Sequence, residues 1–193
     1  MKFWPQKKWK KILLVAVIVF VISVVGVVGA IFFKIRSDFS SKIDVLNPEG
    51  TKTALVIYHQ GLASFQQDTT YAFADGLVEN GWKVEITTPS SEAPTDLSGY
   101  SLLVLGSPVY AGAPAPTLQR HLERIGDLNG IDTVLIVTSG GSDGEAEATL
   151  QQAVEDHDGN IVLVLSLYTS TPNDGNPLTI AEQAGRDLVI AKR

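Results

Sequence analysis

From residue 53 onward, short apolar runs alternate with stretches whose apolar positions recur every three or four residues. The runs at 53–59, 101–105, 132–138 and 160–168 are dense in Val, Leu and Ile, as strands buried on both faces of a parallel sheet are. The run at 82–88 differs. There Val84 and Ile86 alternate with Lys83, Glu85 and Thr87, which predicts a half-exposed edge strand. Helices fill the intervals. Asp68 is placed to cap one that runs to Asn80, with Gly81 as its stop. Leu118, Leu122 and Ile125 form one stripe of the next. Ser142 or Asp143 starts a third, ending near Asp156, and Asn176-Pro177 opens the last, with Pro where a missing N–H costs nothing. Strands alternating with helices imply right-handed crossovers and a parallel sheet. The polar run is the second strand, which favours the order 2-1-3-4-5. Residues 88–100 carry no helical pattern, so that crossover is abbreviated.

Ahead of this pattern lies a segment of another kind. Residues 12–33 form a run of 22 without a charge, with Ser23 as its one hydroxylated residue. As a helix it is about 33 Å long, enough to cross a hydrocarbon core of about 30 Å. A secretory signal is the competing reading, but its apolar region is usually about 7–15 residues, and Val28-Gly29-Ala30 is a weak cleavage site. Trp4 and Trp9 flank the entrance, and Phe32 and Phe33 the exit, as interfacial anchors do. The expected organisation is therefore a membrane anchor over 1–36, a linker over 37–52 with a turn at Pro48-Glu49-Gly50, and one domain over 53–193. Lys2, Lys7, Lys8, Lys10 and Lys11 precede the span, whereas Lys34, Arg36 and Lys42 follow it. The heavier cluster stays in the cytoplasm, which puts the domain outside it.

Charge and composition narrow the chemistry. The first 36 residues hold seven basic side chains and no acidic one, leaving eight basic against 21 acidic residues in the remainder, a formal −13. An acidic domain is a poor nucleic-acid partner, because phosphate neutralisation needs clustered Lys and Arg. Without cysteine, disulfides, thiolate catalysis and iron–sulfur ligation are all removed. His59, His121 and His157 lie on three elements without ligand spacing, so no metal site is expected, and no Ser-His-Asp pattern supports a hydrolase.

In an open α/β sheet the ligand crevice lies outside the carboxyl ends of the strands. That rule nominates the loops at 59–68, 106–116 and 139–144. The second carries the most distinctive residues: Gly106, Ser107, Pro108, Val109, Tyr110, Ala111 and Gly112, directly after Leu102-Leu103-Val104-Leu105. This resembles the flavodoxins, whose third strand ends in a Gly-Ser-Pro-x-Tyr-type loop beside the flavin ring. The resemblance covers about residues 53–192 and implies a flavodoxin-like, five-stranded open sheet that binds FMN. An isoalloxazine ring is flat and apolar with a polar edge, and Tyr110 would supply a face to it. The alternative is that Tyr110 packs on the Pro114–Pro116 turn. Ser139, Gly140 and Gly141 match the position of a second flavin-lining loop, though any tight strand-to-helix connection uses such residues.

The first loop departs from the family's Thr-Gly-x-Thr phosphate site. Gly61, Ser64 and Thr69 keep part of the chemistry, and a helix N-terminus binds phosphate without Lys or Arg. Against this, Asp68 as a cap would occupy the same N–H groups and repel a dianion, and Leu62 and Phe65 add apolar bulk. The resemblance thus implies a membrane-tethered FMN protein, an electron carrier or an oxidoreductase, that meets a partner with a basic face. The second function class is a flavin-free binding or scaffold module on the same fold.

Overall fold

The computed structural model describes residues 7–37, 42–142, 144–170 and 173–190. Lys2, Trp4 and Asp143, invoked above, lie outside the described residues. The chain divides into two units, residues 1–36 and 37–193.

The first unit is one helix, α1 (Lys8–Arg36), long and apolar enough to cross a membrane and with none of its most apolar window buried.

The second unit contains β1 (Asp44–Leu46), β2 (Lys52–Tyr58), α2 (Phe65–Glu79), β3 (Trp82–Thr87), β4 (Leu102–Tyr110) and β5 (Ala113–Pro114). There follow α3 (Pro116–Ile125), β6 (Asp132–Ser139), α4 (Ala146–Asp156), β7 (Asn160–Tyr168) and α5 (Pro177–Arg186). The sheet runs β1-β3-β2-β4-β6-β7, with β5 paired to β4. Its five long strands are parallel and, counted in chain order, lie 2-1-3-4-5 as their polarity implied.

Three expectations are corrected. Part of the presumed linker is structural: Asp44–Leu46 pairs antiparallel with Ile86–Val84, so the sheet has an extra outer strand and β3 is not its edge. The Tyr71 hydroxyl donates to Asp44 Oδ2 at 3.1 Å, tying β1 to α2. The polar alternation of β3 has another cause: Glu85 lies 2.5 Å from Lys83 Nζ and accepts from the Tyr100 hydroxyl at 2.7 Å. Second, α2 begins at Phe65, so Asp68 sits within its first turn and does not cap it. Third, α4 begins at Ala146, a few residues after Ser142.

Alternation along β2 divides the core. Ala54, Val56 and Tyr58 face a cluster with Phe73 and Leu77 of α2 and Ala181 of α5. Leu55 and Ile57 face a second with Leu118 and Leu122 of α3 and Leu150 and Val154 of α4. Each fully buried Leu or Phe contributes roughly 1.5–3 kcal/mol by leaving water. The first layer depends on close helix approach. A Cβ on Gly76 would fall 2.0 Å from Glu182 O, and one on Gly185 2.2 Å from Phe73 O. Only glycine lets α2 and α5 meet there. Asn176 caps α5 as its sequence implies, its side chain accepting from the N–H groups of Leu178 and Thr179.

Candidate functional site

The carboxyl ends of β2, β4 and β6 bring the three nominated loops to one edge of the sheet. Gly106, midway along β4, sets how closely the layers meet there. A Cβ on it would lie 2.7 Å from Tyr58 Cβ and 2.8 Å from Gln66 Nε2.

The first loop leaves β2 at His59, which is buried. The Gly61 N–H donates to His59 Nδ1 at 3.0 Å, curling the chain back, and Gly61 itself takes a left-handed φ of 81°. Gly61 packs close to Pro108, whose Cγ would be 3.6 Å from an added Cβ. Ser64 is exposed and stands at the helix start in an α-like conformation, and α2 has no side-chain cap. Asp68 donates its backbone N–H to Ser64 O at 2.8 Å and is exposed. Among the described residues α2 therefore has no side-chain cap at its start, which reverses the expectation that Asp68 occupies the first-turn N–H groups. Thr69 does not join the site. It is fully buried, and its hydroxyl donates to Phe65 O at 2.7 Å.

The second segment is a hairpin, where the sequence suggested a loop. Residues 106–110 continue β4, and β5 returns beside it, pairing Val109 with Pro114 and Tyr110 with Ala113. Ala111 and Gly112 make the two-residue turn with φ of 50° and 82°, the positive values such hairpins require. Ser107 has no exposed surface. Its hydroxyl donates to Pro108 O at 3.0 Å and accepts from Ala115 N–H at 2.8 Å, so it locks the hairpin onto the start of α3. Tyr110 is half-buried, and its backbone pairs with Ala113. Its ring meets His59 edge-on at 5.7 Å, with its hydroxyl 3.5 Å from His59 Nδ1. Burial pushes the Tyr110 phenol up to about 12, so it stays protonated at neutral pH.

The third loop begins at Ser139, whose Oγ is buried and, among the described residues, lacks a hydrogen-bond partner. Gly140 is exposed and its carbonyl accepts from Ser170 N–H at 2.8 Å, while Gly141 is exposed beside it. Gly144 has a φ of 60°, and Glu145 N–H donates to Gly112 O at 3.2 Å. That bond joins the third loop to the hairpin tip.

The structure therefore gathers Gly61, Pro108 and Tyr110 around His59, and Gly112 against Gly144. It turns Thr69 and the Ser107 hydroxyl inward. The residue missed from sequence is Gln66, which is buried in the first turn of α2. It donates to Thr70 Oγ1 at 3.0 Å and accepts from Thr138 Oγ1 at 2.7 Å. Its signal was a set of polar residues on the inward stripe of α2. A separate cavity of about 750 Å³ lies at the opposite end of the sheet, lined by Lys52, Ser101 and Asp132 at strand starts. It is not the crevice that the topology nominates.

No family model and no curated protein matches the chain. Solved structures do. The flavodiiron core Flv1 from Synechocystis superposes with a TM-score of 0.58 at 18% identity, covering 73% of this chain and 36% of that one. A flavodoxin from Megasphaera elsdenii gives 0.56 at 13% identity, covering 70% of this chain and 99% of its own. Flavodoxin 1 from Bacillus cereus gives 0.56 at 16%, with coverage of 70% and 95%. The second unit has a flavodoxin-like fold. This flavodoxin-like domain spans nearly the whole of the two flavodoxins but about a third of the flavodiiron chain. At such identities the likeness concerns the fold, and what the site does must come from its residues.

Proposed function

We propose that the flavodoxin-like domain binds FMN at the carboxyl ends of β2, β4 and β6 and serves electron transfer or oxidoreduction at a membrane. The observation that carries this reading is the uncapped start of α2 opening at the same sheet edge as the half-buried ring of Tyr110. The N–H groups of a helix start without a side-chain cap and the exposed Ser64 suit a phosphate, since a helix N-terminus needs no added cation. Tyr110 suits one face of a flat apolar ring, and the exposed hairpin turn at Ala111 suits its polar edge. Bound there, FMN would supply the one- and two-electron chemistry. The chain's own part is to hold the ring, exclude water from its inner side and place it near a partner. The Ser139 hydroxyl is a further candidate contact. A buried hydroxyl without a partner costs about 1–3 kcal/mol, which a ligand contact there would recover.

In this reading α1 anchors the protein, and the lysine cluster before it keeps that end in the cytoplasm, with the domain on the other side. The domain's excess of acidic residues steers it to a redox partner with a basic face.

A second reading is favoured by a specific observation. The hairpin and the third loop, which would flank a ring, are bonded to each other through Gly112 O and Glu145 N–H, and Leu62 stands exposed beside the helix start. Both suit a flavin-free binding module on the same fold. Absorption and fluorescence titration of the full-length protein with FMN in detergent separates them. Saturable uptake of one equivalent supports the first reading, and none at millimolar FMN supports the second.

A further inference from the structure

We infer that His59, in its Nε2–H tautomer, is the positioning residue that couples the loop after β2 to Tyr110. This rests on the flavin reading above for its functional meaning, and on geometry for the coupling itself. His59 follows directly on β2, and its backbone N–H donates to Gly106 O at 3.0 Å, which fixes the residue against β4. Its ring is buried and meets two segments. Nδ1 accepts the Gly61 N–H at 3.0 Å and lies 3.5 Å from the Tyr110 hydroxyl. A nitrogen that accepts an N–H cannot itself carry a proton, so the neutral ring bears its proton at Nε2. The Gly61 N–H takes the one in-plane lone pair of Nδ1 at 3.0 Å, so the Tyr110 hydroxyl at 3.5 Å is a secondary contact and the edge-on packing of the two rings carries the rest.

One ring thus sets two features of the site. The Gly61 bond holds the turn that leads into the α2 start, where a phosphate would sit. The Tyr110 contact, with rings edge-on at 5.7 Å, sets how the ring-facing tyrosine stands. Besides the His59–Tyr110 contact, the two segments meet where Pro108 packs on Gly61. His59 acts through Gly61 and Tyr110. Its role is to keep the two halves of the site in register.

An asparagine at this position retains an acceptor oxygen near the place of Nδ1, whereas leucine retains bulk without an acceptor. Full-length protein in detergent, labelled with ¹⁵N at histidine and glycine, is compared as wild type, His59→Asn and His59→Leu. The inference expects His59 to show a protonated Nε2 and an unprotonated Nδ1. It expects the Gly61 amide to shift in His59→Leu and return toward the wild-type position in His59→Asn. FMN affinity should follow the same order, with His59→Leu weaker by roughly tenfold and His59→Asn restored most of the way. A proton on Nδ1, or an asparagine variant no better than leucine, would overturn the coupling. If wild type takes up no FMN, the flavin reading fails by itself, and the tautomer and the Gly61 amide still decide whether His59 joins the two loops.

Discussion

Thr138, at the end of β6, donates its hydroxyl proton to the side-chain oxygen of Gln66, in the first turn of α2, across 2.7 Å. The two residues are 72 positions apart, and both are buried. The Gln66 amide donates in turn to Thr70, so the start of α2 is held to the sheet by a polar link inside an apolar layer. The site therefore has a fixed floor beneath its loops.

That link makes a stability prediction. Thr138→Val keeps the shape of the side chain but leaves the Gln66 oxygen buried without its donor. The expected loss is about 1–3 kcal/mol. Denaturant unfolding of the full-length protein, followed by Trp fluorescence, measures it. A change within about 0.5 kcal/mol would mean that the link contributes little.

A second prediction concerns the hairpin tip. Ala111 holds a φ of 50°, a conformation that costs an L-residue roughly 1–2 kcal/mol and glycine much less. Ala111→Gly should therefore raise stability, by up to about 1 kcal/mol once the looser unfolded chain is counted. The same unfolding experiment decides the sign. A loss of stability would place the turn in another conformation.

A third concerns alkaline pH. Burial is the first cause of the raised phenols of Tyr110 and Tyr71, each pushed up to about 12 from 10.0. For an acid whose folded value is raised, the stabilisation is complete below the unfolded value and is lost as pH rises through the folded one. The unfolded chain has then already given up its proton. The window is thus from about pH 10 to about pH 12. Thermal unfolding should fall steeply across it, and Tyr71→Phe should flatten part of the slope. An unchanged slope in that variant would contradict the assignment.

Asp68 separates two effects. It is exposed in the first turn of α2, where a carboxylate favours the helix dipole by about 0.3–1 kcal/mol. Near a phosphate the same charge is repulsive. Asp68→Asn should lower stability slightly while strengthening FMN uptake, by a few-fold. Equal affinity of both forms would place the phosphate away from this helix.

How much of this was legible in the sequence depends on the range of the interactions. The parallel strands and their order were readable because each is a local run, and the polar alternation at Lys83 and Glu85 marked the second strand. That alternation was read as an edge, but β1 covers it. Asp44, Val45 and Leu46 form too short a run to announce a strand, and only pairing with Ile86–Val84 creates it. Gly106 and Pro108 suggested a loop because both are scarce inside strands. Here Gly106 is required by the approach of Tyr58 and Gln66, and Pro108 lies near the strand end. The residue type of Asp68 suggests a cap, though the helix starts three residues earlier at Phe65 and the Asp68 N–H closes its first turn onto Ser64 O. The Tyr110 position was legible from its motif. Its His59 neighbour was not, because that contact spans 51 residues and no local pattern encodes it.

The most direct test of the account is an FMN titration of the full-length protein in detergent, read by flavin fluorescence, with Tyr110→Ala alongside. The account predicts saturable binding of one equivalent by wild type. It also predicts weaker binding by the variant, since a stacked aromatic face is worth about 0.5–1.5 kcal/mol beyond its buried area. Tight binding indifferent to Tyr110 would put the flavin elsewhere on the domain. No binding at millimolar FMN would contradict the central claim outright, leaving a flavodoxin-like fold that works without flavin.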